Sequence, residues 1–140
     1  EQIYKYQKGD NRFNDAQNWI KNKKDANLKT AIGLTIDGNI YSLNQDGKIN
    51  KFYNGELQAF NQAIIEPAIS SAPGIYTNLD LNNLYIFEGK RIIVLTKEGA
   101  LVTQYSLENL NSAIADITIV GQDEKIIFAS DNKLYSIKLK

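Results

Sequence analysis

A repeat of about 43 residues constrains the fold of this chain more than any other feature of its sequence. The segment NIYSL (39–43) is matched by NLYIF (83–87), which begins 44 residues later, and by KIIFA (125–129) after another 42. A second apolar run follows each copy after a short gap: KINKF (48–52), RIIVL (91–95) and KLYSI (133–137). Repeats of this period are typical of proteins built from stacked supersecondary units, so the period predicts the architecture before any single residue does.

The runs within each repeat are short, β-branched or aromatic, and roughly alternating, which is typical of strands. Asp-Gly, Asn-Gly or Glu-Gly pairs separate many of them, and Gly supplies the positive φ that tight hairpin turns require. A repeated four-stranded antiparallel meander of this length is a propeller blade. The sequence therefore predicts an all-β fold made of β-propeller blades. The alternative is a β-sandwich, which has no reason to repeat at this period.

The strand pattern predicts a single β-propeller region over residues 1–140 with roughly thirteen strands. Its segments are the end of one blade plus a connector, two four-stranded blades, and a last blade of only three strands: 1–30, 31–66, 74–110 and 113–140. Pro67 and Pro73 fall between the two whole blades, where a non-strand connector is expected.

The last predicted blade is one strand short, and the first lacks its inner strands. We therefore expect a partial propeller, or one that oligomerisation completes, because an open sheet edge is a liability. The simplest interpretation is that the chain is the C-terminal portion of a longer propeller. In a second interpretation the chain closes on itself as three blades, and QIYKY (2–6) supplies the missing strand. In a third, two copies pair as a homodimer that completes a six-bladed ring.

Composition narrows the function classes. Sixteen basic residues balance sixteen acidic ones, so no electrostatic footprint for nucleic acid is present. The one basic cluster, Lys21, Lys23 and Lys24, is interrupted by Asp25 and is expected to be a solvent-exposed loop. The chain has no His and no Cys, the commonest catalytic bases and metal ligands, and no apolar run approaches the length of a membrane span. No cofactor, metal site or direct membrane insertion is predicted.

Three aspartates are the main candidates for a binding site. Asp37, Asp80 and Asp116 recur at or near the ends of the predicted inner strands, and Asp123 lies at the matching turn of the last copy. Acidic groups around one mouth of a propeller could bind a cation. The competing interpretation is that these side chains close the hairpins by hydrogen bonds to the backbone.

Aromatic and lysine positions complete the candidates. Trp19 and Phe13 are predicted to be apolar plugs at a blade edge, and Trp19 is also a candidate for stacking on a ligand. Tyr41, Tyr85 and Tyr135 are predicted to share one repeat position, packed between blades. Lysines on the outer strands are expected to be solvated charges that discourage aggregation at the sheet edge: Lys51, Lys97 and Lys138.

Two longer segments resemble a known family. DGNIYSLNQDGKINKF (37–52) and NLYIFEGKRIIVLTKEGALVTQY (83–105) are similar to the blades of NHL-like bacterial six-bladed β-propellers. The resemblance extends to propellers near the C-terminus of large bacterial proteins, some of which carry an upstream phosphatase-like domain of the PPM class. It implies a fold and no chemistry, since propellers host many unrelated functions, and no phosphatase metal motif occurs in this chain.

The sequence favours a non-enzymatic scaffold or recognition module that binds a protein, peptide or glycan through its inter-strand loops. One alternative is a sensor or spacer domain of a larger membrane-anchored signalling enzyme, and another is a cation-dependent lyase or hydrolase. The compartment is not predicted, and an extracytoplasmic or membrane-tethered parent is compatible with the composition.

Overall fold

The computed structural model describes residues 2–22, 26–70 and 74–139, and these form thirteen strands and no helix, as the repeat predicts. A two-stranded N-terminal sheet comprises β1 (Tyr4–Lys5) and β2 (Gln17–Asn18). Blade I has four strands, in the order β3 (Ala31–Ile36), β4 (Ile40–Asn44), β5 (Ile49–Tyr53) and β6 (Glu56–Gln58).

Blade II repeats the meander of blade I. Its strands are β7 (Gly74–Tyr76), β8 (Asn83–Glu88), β9 (Arg91–Thr96) and β10 (Leu101–Ser106). Blade III comprises β11 (Asp116–Val120), β12 (Lys125–Ser130) and β13 (Lys133–Lys138). Every pairing in the four sheets is antiparallel and joins strands that are consecutive in the chain. The chain is therefore an all-β partial propeller, as the sequence predicts.

The turns between the third and fourth strands of the whole blades need glycine. Gly99 has φ +101°, and a Cβ at this position would lie 2.7 Å from the carbonyl oxygen of Asn61. The turn at Gly99 therefore approaches the connector between blades I and II closely. The backbone N–H of Ala63 in that connector donates to the carbonyl oxygen of Gly99 at 2.8 Å. Gly55, in the matching turn of blade I, accepts in the same way from the backbone N–H of Lys21. Each turn is thus tied to the connector that flanks its blade.

The hydrophobic core lies between successive sheets, in three clusters. Phe52 of blade I packs with Ile20, Ala26 and residues of the N-terminal segment. The cluster between blades I and II contains ten buried residues: Tyr41, Leu43, Ile49, Ile65, Ile69, Ile75, Leu84, Ile86, Ile93 and Leu95. The cluster between blades II and III contains Leu81, Tyr85, Ile92, Val94, Leu110, Ile114, Ile117, Ile119, Ile126 and Phe128. Each blade is therefore stabilised by the neighbour on its face.

Burial follows directly from this stacking. In β8 the consecutive residues Leu84, Tyr85 and Ile86 are all fully buried, because blade II has a neighbour on both faces. The inner strand β3 instead alternates, and Ile32, Leu34 and Ile36 are 44%, 49% and 54% exposed. Gly33, between them in β3, lies against Ile75 of blade II, and Leu43 of β4 belongs to the cluster between blades I and II. Because side chains alternate along a strand, these three lie on the face of blade I that is turned away from blade II.

The connector between blades I and II is held by a charged clamp. Arg91 forms an ion pair with Glu88 and donates to the carbonyl oxygen of Pro67 at 2.7 Å. The same Glu88 accepts from the backbone N–H of Ser70 at 3.0 Å. Pro67 lies outside any strand, as predicted, whereas Pro73 and the predicted basic loop positions Lys23 and Lys24 lie outside the described residues.

Two sequence-based interpretations of the strands are wrong. QIYKY does not complete the last blade, because β1 pairs with β2 in the register Tyr4↔Asn18 and packs beside blade I. Tyr135 does not share a position with Tyr41 and Tyr85, since it lies on the third strand of its blade and they lie on the second. The assignment of residues 1–140 to one domain stays a proposal.

Adjacent aromatic residues on β5 provide a test of the stacking. Phe52 is fully buried, while Tyr53 is 60% exposed. Phe52→Ala is expected to lower the free energy of unfolding by about 3–5 kcal/mol, since it removes the centre of the N-terminal cluster. Tyr53→Ala, the control, is expected to change it by less than about 0.5 kcal/mol. Urea unfolding followed by tryptophan fluorescence measures both, and equal effects would contradict the arrangement.

Candidate functional site

Asp37 lies in the turn between β3 and β4. It closes this hairpin, as expected of a turn aspartate, and it also makes a contact with the next blade that the sequence does not predict. Its carboxylate accepts from the backbone N–H of Asn39 at 3.0 Å, which closes the hairpin, and from the Tyr41 hydroxyl at 3.3 Å. It also forms a 2.8 Å ion pair with Lys97 of blade II. The side chain of Asp37 is almost fully buried, so the pair ties two blades together rather than facing solvent.

The protonation of this cluster follows from its contacts. Burial raises the pKa of the Asp37 carboxyl, but hydrogen bonds from Lys97 and Asn39 outweigh burial, and the pKa lies below its usual value of 3.8. Burial, with the adjacent Asp37 charge, raises the pKa of the Tyr41 hydroxyl well above its ordinary range. At neutral pH Asp37 is therefore a carboxylate and Tyr41 a neutral phenol.

Lys97 is not the solvated edge charge that the sequence predicts. Its side chain is 19% exposed and also donates to the carbonyl oxygen of Asn78 at 3.1 Å. Lys51 in turn donates to the carbonyl oxygen of Lys97 at 2.9 Å and lies 5.6 Å above the ring centre of Tyr41. The prediction fails for these two lysines because the Lys97 side chain reaches Asp37 on the neighbouring blade and the Lys51 side chain reaches the backbone of the turn after β9.

A second tie joins blades II and III. The Tyr85 hydroxyl donates to Asp123 Oδ1 at 2.7 Å, and the backbone N–H of Asn82 donates to Asp123 Oδ2 at 2.7 Å. Asp123 lies in the turn after β11 with φ +58°. Burial, together with this hydrogen bond, raises the pKa of the Tyr85 hydroxyl. In both blades a second-strand tyrosine thus bonds to an aspartate of an inner hairpin turn, Tyr41 to Asp37 within blade I and Tyr85 to Asp123 of the next blade. The sequence analysis named both aspartates.

The other predicted site residues do not join Asp37. Asp80 is exposed in the loop between β7 and β8, and its backbone N–H donates to Asn78 Oδ1. Asp116 begins β11, so the whole length of that strand separates it from the turn that carries Asp123, and it accepts from the backbone N–H of Ile117. Within residues 2–22, 26–70 and 74–139, no group of three or more acidic side chains could hold a metal ion.

Trp19 lies at the interface between the N-terminal sheet and blade I. Its ring meets that of Phe52 edge-on, with centroids 6.2 Å apart and an interplanar angle of 73°. The packing confirms Trp19 as an apolar plug at a blade edge, whereas Phe13 is exposed and does not act as one. A ligand-stacking role for Trp19 stays a prediction.

Among the described residues, the outer edge of blade III is unpaired. In blades I and II the third strand pairs with a fourth, β5 with β6 and β9 with β10. In the part of the chain that the structure describes, β13 pairs only with β12. One side of β13 therefore presents backbone donors and acceptors that no strand satisfies.

A groove lies beside the C-terminal end of β13. It has a volume of about 440 Å³, and we call it the edge groove; its lining residues are Asn83, Tyr85, Val94, Val102, Thr103, Tyr105, Asp123, Lys138 and Leu139. Blade II supplies the floor, and the end of β13 with the Asp123 turn supplies the wall. In blade II, β10 pairs beside β9 as the fourth strand, and three residues of β10 line the groove: Val102, Thr103 and Tyr105.

The edge beside the groove is positively charged. Lys125 and Lys138 are directly opposite each other across β12 and β13, and Lys133 begins β13. All three are exposed, and the ion pairs among the described residues involve none of them. The edge thus carries three lysines outside the ion pairs, although Asp123 lines the same groove, Glu124 precedes Lys125, and the chain as a whole has no net charge.

Comparisons with known proteins bear on the fold. No protein-family model matches the chain, and no curated protein matches its sequence. Among solved structures, the WD40 β-propeller domain of Doa1 is similar, with a TM-score of 0.55 and 16% sequence identity over 77% of this chain. The match covers 36% of that chain, so this chain spans about a third of its length. The likeness shows a partial β-propeller fold, and the NHL-like family stays a prediction.

Asp37→Asn tests the tie between blades I and II. At neutral pH the variant is expected to be about 2 kcal/mol less stable, because Lys97 stays largely buried without its carboxylate. Since the folded pKa of Asp37 lies below 3.8, the carboxylate stabilises the fold fully above that value and loses its effect as pH falls through the folded pKa. The stability difference from wild type is therefore expected to shrink below pH 3.8.

Urea unfolding at a series of pH values measures this difference. Asp80→Asn is the matched control, since Asp80 is exposed in the equivalent loop of blade II. The control is expected to stay within about 0.5 kcal/mol of wild type at neutral pH. A pH-independent cost for Asp37→Asn would contradict the ion pair.

Proposed function

We propose that the chain is a non-enzymatic β-propeller scaffold that recognises another protein or a peptide, and that the edge groove is its binding surface. The observation that carries the proposal is the groove beside an unpaired strand on a rigid stack of blades. Protein pockets that bind ligands are concave and apolar with a few polar groups, and this groove combines Val94, Val102 and two tyrosines with Asp123 and Lys138.

Rigidity supports this function. The two polar ties and the two large apolar clusters hold blades I, II and III against each other, so the groove is built largely in advance of binding. A preformed surface loses less conformational entropy on binding than a flexible one. The turn residue Asp37, by contrast, is engaged by Lys97 of the next blade and is almost fully buried, which leaves it less suited to bind a partner.

The catalytic alternatives gain no support from the described residues. The cation-dependent lyase or hydrolase needs converging acidic ligands, and none are brought together there. Tyr41 and Tyr85, which are buried and bonded to aspartates, have raised pKa values and are poor proton donors or nucleophiles at neutral pH. None of the described residues forms a helix long and apolar enough to cross a bilayer.

Peptide selection tests the proposal without a known partner. A library of random peptides displayed on phage is selected on the immobilised chain, and enriched peptides are synthesised and titrated by fluorescence anisotropy. We expect a shared sequence pattern and a loss of affinity of about tenfold or more in Val102→Arg, which places a charge in the groove. Val102 is 52% exposed, so the variant is expected to fold.

Ile64→Arg is the matched control, because Ile64 is 86% exposed on the connector between blades I and II. Its affinity for the selected peptides is expected to equal that of wild type. Failure to enrich any peptide over an unrelated immobilised protein would overturn the proposed function. Equal binding by both arginine variants would move the binding surface away from the groove.

The homodimer remains a separate proposal. Its support is the exposed stripe of Ile32, Leu34 and Ile36 on blade I, an apolar surface that a second copy of the chain is suited to cover. Light scattering after size exclusion is expected to give twice the mass of one chain, and Leu34→Lys is expected to return it to one. A single-chain mass at all concentrations would rule the dimer out.

A further inference from the structure

We propose that the edge groove binds an extended acidic peptide segment of a partner protein, which pairs antiparallel with β13 as the fourth strand of blade III. This proposal rests on the proposed function and names the chemistry of the partner. Three features of the edge specify that chemistry: its unpaired backbone, the direction in which its side chains alternate, and its charge.

The outer side of the β13 backbone can pair with a further strand. β13 extends over six residues and pairs along one side with β12, from Lys133 opposite Ser130 to Lys138 opposite Lys125. In blade II the equivalent outer side of β9 pairs with β10 over a comparable length, with Ile92 opposite Tyr105. Addition of an extended peptide to an exposed edge satisfies the free N–H and C=O groups, and main-chain hydrogen bonds then supply much of the affinity.

The faces of β13 specify an alternating pattern in the partner. Tyr135, Ile137 and Leu139 pack into the cluster with blade II, so Leu134, Ser136 and Lys138 point to the opposite, open face. A strand paired with β13 follows the same alternation. Its side chains on the blade II face lie over Val94, Thr103 and Tyr105, where apolar groups fit. Its remaining side chains share the open face with Lys138 and with Lys125, which is opposite Lys138 on β12.

Charge decides which residues belong on that open face. Lys125 and Lys138 are directly opposite each other, an arrangement that like charges make unfavourable, and neither has an ion pair among the described residues. A carboxylate on the next strand lies within one strand spacing of Lys138 and offsets this repulsion.

Blade I shows an acid at the corresponding place. There, Tyr41 is opposite Lys51 on the third strand, as Ile127 is opposite Ser136 in blade III. By this register Tyr53 corresponds to Lys138. Tyr53 pairs with Glu56, the first residue of the fourth strand, and Glu56 forms a 3.1 Å ion pair with Lys21. An acidic residue at the start of the incoming strand is therefore compatible with the geometry of a blade.

The test uses three fluorescent probes and the full chain. The acidic probe is a peptide of about eight residues in which Glu and Val alternate. The basic probe replaces every Glu with Lys, and the third probe is the acidic peptide with alternate backbone nitrogens methylated on the edge that would pair. Anisotropy titrations at low salt are expected to give an affinity for the acidic probe at least about tenfold above that for the others.

Charge reversal on the protein supplies the second arm. Lys138→Glu is expected to weaken the acidic probe by about tenfold and to strengthen the basic probe, because it inverts the charge beside the groove. Lys29→Glu is the control. Lys29 is exposed in the connector before blade I, and its substitution changes the net charge by the same amount. The control is expected to bind all three probes as wild type does.

Three results would overturn the proposal. Equal affinity for the acidic and basic probes would remove the charge argument, and unchanged affinity for the methylated probe would exclude strand addition. A dimer that binds no probe and keeps its mass in excess acidic probe would assign the edge to a second copy. If library peptides still bind at Val102 while the acidic probe does not, only this inference fails; if neither binds, the proposed function fails with it.

Discussion

Face-to-face burial of one sheet against the next is the constraint on which the rest of the structure depends. A four-stranded meander alone leaves two apolar faces in water, and burial of an apolar side chain contributes about 1.5–3 kcal/mol. Blade II has a neighbour on each face, so β8 buries consecutive residues from Leu84 to Ile86. The blades at the two ends have fewer neighbours, and their strands expose side chains that an internal blade would bury. Exposed surface in this chain therefore follows from position in the stack.

Polar contacts at the blade interfaces add specificity to this burial. Tyr85 of blade II bonds to the turn aspartate Asp123 of blade III, and the equivalent bond of Tyr41 to Asp37 within blade I orients Asp37 for its contact with blade II. At the first interface Lys97 adds an ion pair. A buried carboxylate that loses its partners is strongly penalised, so these contacts favour one placement of the adjacent sheets. These ties fix how one blade is placed on the next, and so they fix the shape of the groove beside blade III.

The candidate site lies between blade II and the end of β13, beside the blade that has three strands. No sequence motif marks this place. The acidic residues singled out from the repeat separate in space: Asp37 is used inside the fold, Asp80 is exposed, and Asp116 lies at the far end of its strand. The count of three strands in the last blade was the available signal, and it pointed to an open edge. It did not show that Tyr105 and Val94 of blade II form a floor beside that edge, since these residues are distant from β13 in the chain.

Local pattern was sufficient to predict the strands, their antiparallel order and the propeller class, because alternation and glycine turns act within a few residues along the chain. Contacts between blades were beyond its reach. The burial of Lys97 against Asp37 and the groove at the end of β13 both join residues far apart in sequence. Such contacts depend on how one sheet lies on another, which side-chain packing over the whole face decides. The sequence by itself determined the units, and only the tertiary structure decided which of their polar groups became internal ties and which surface stayed open.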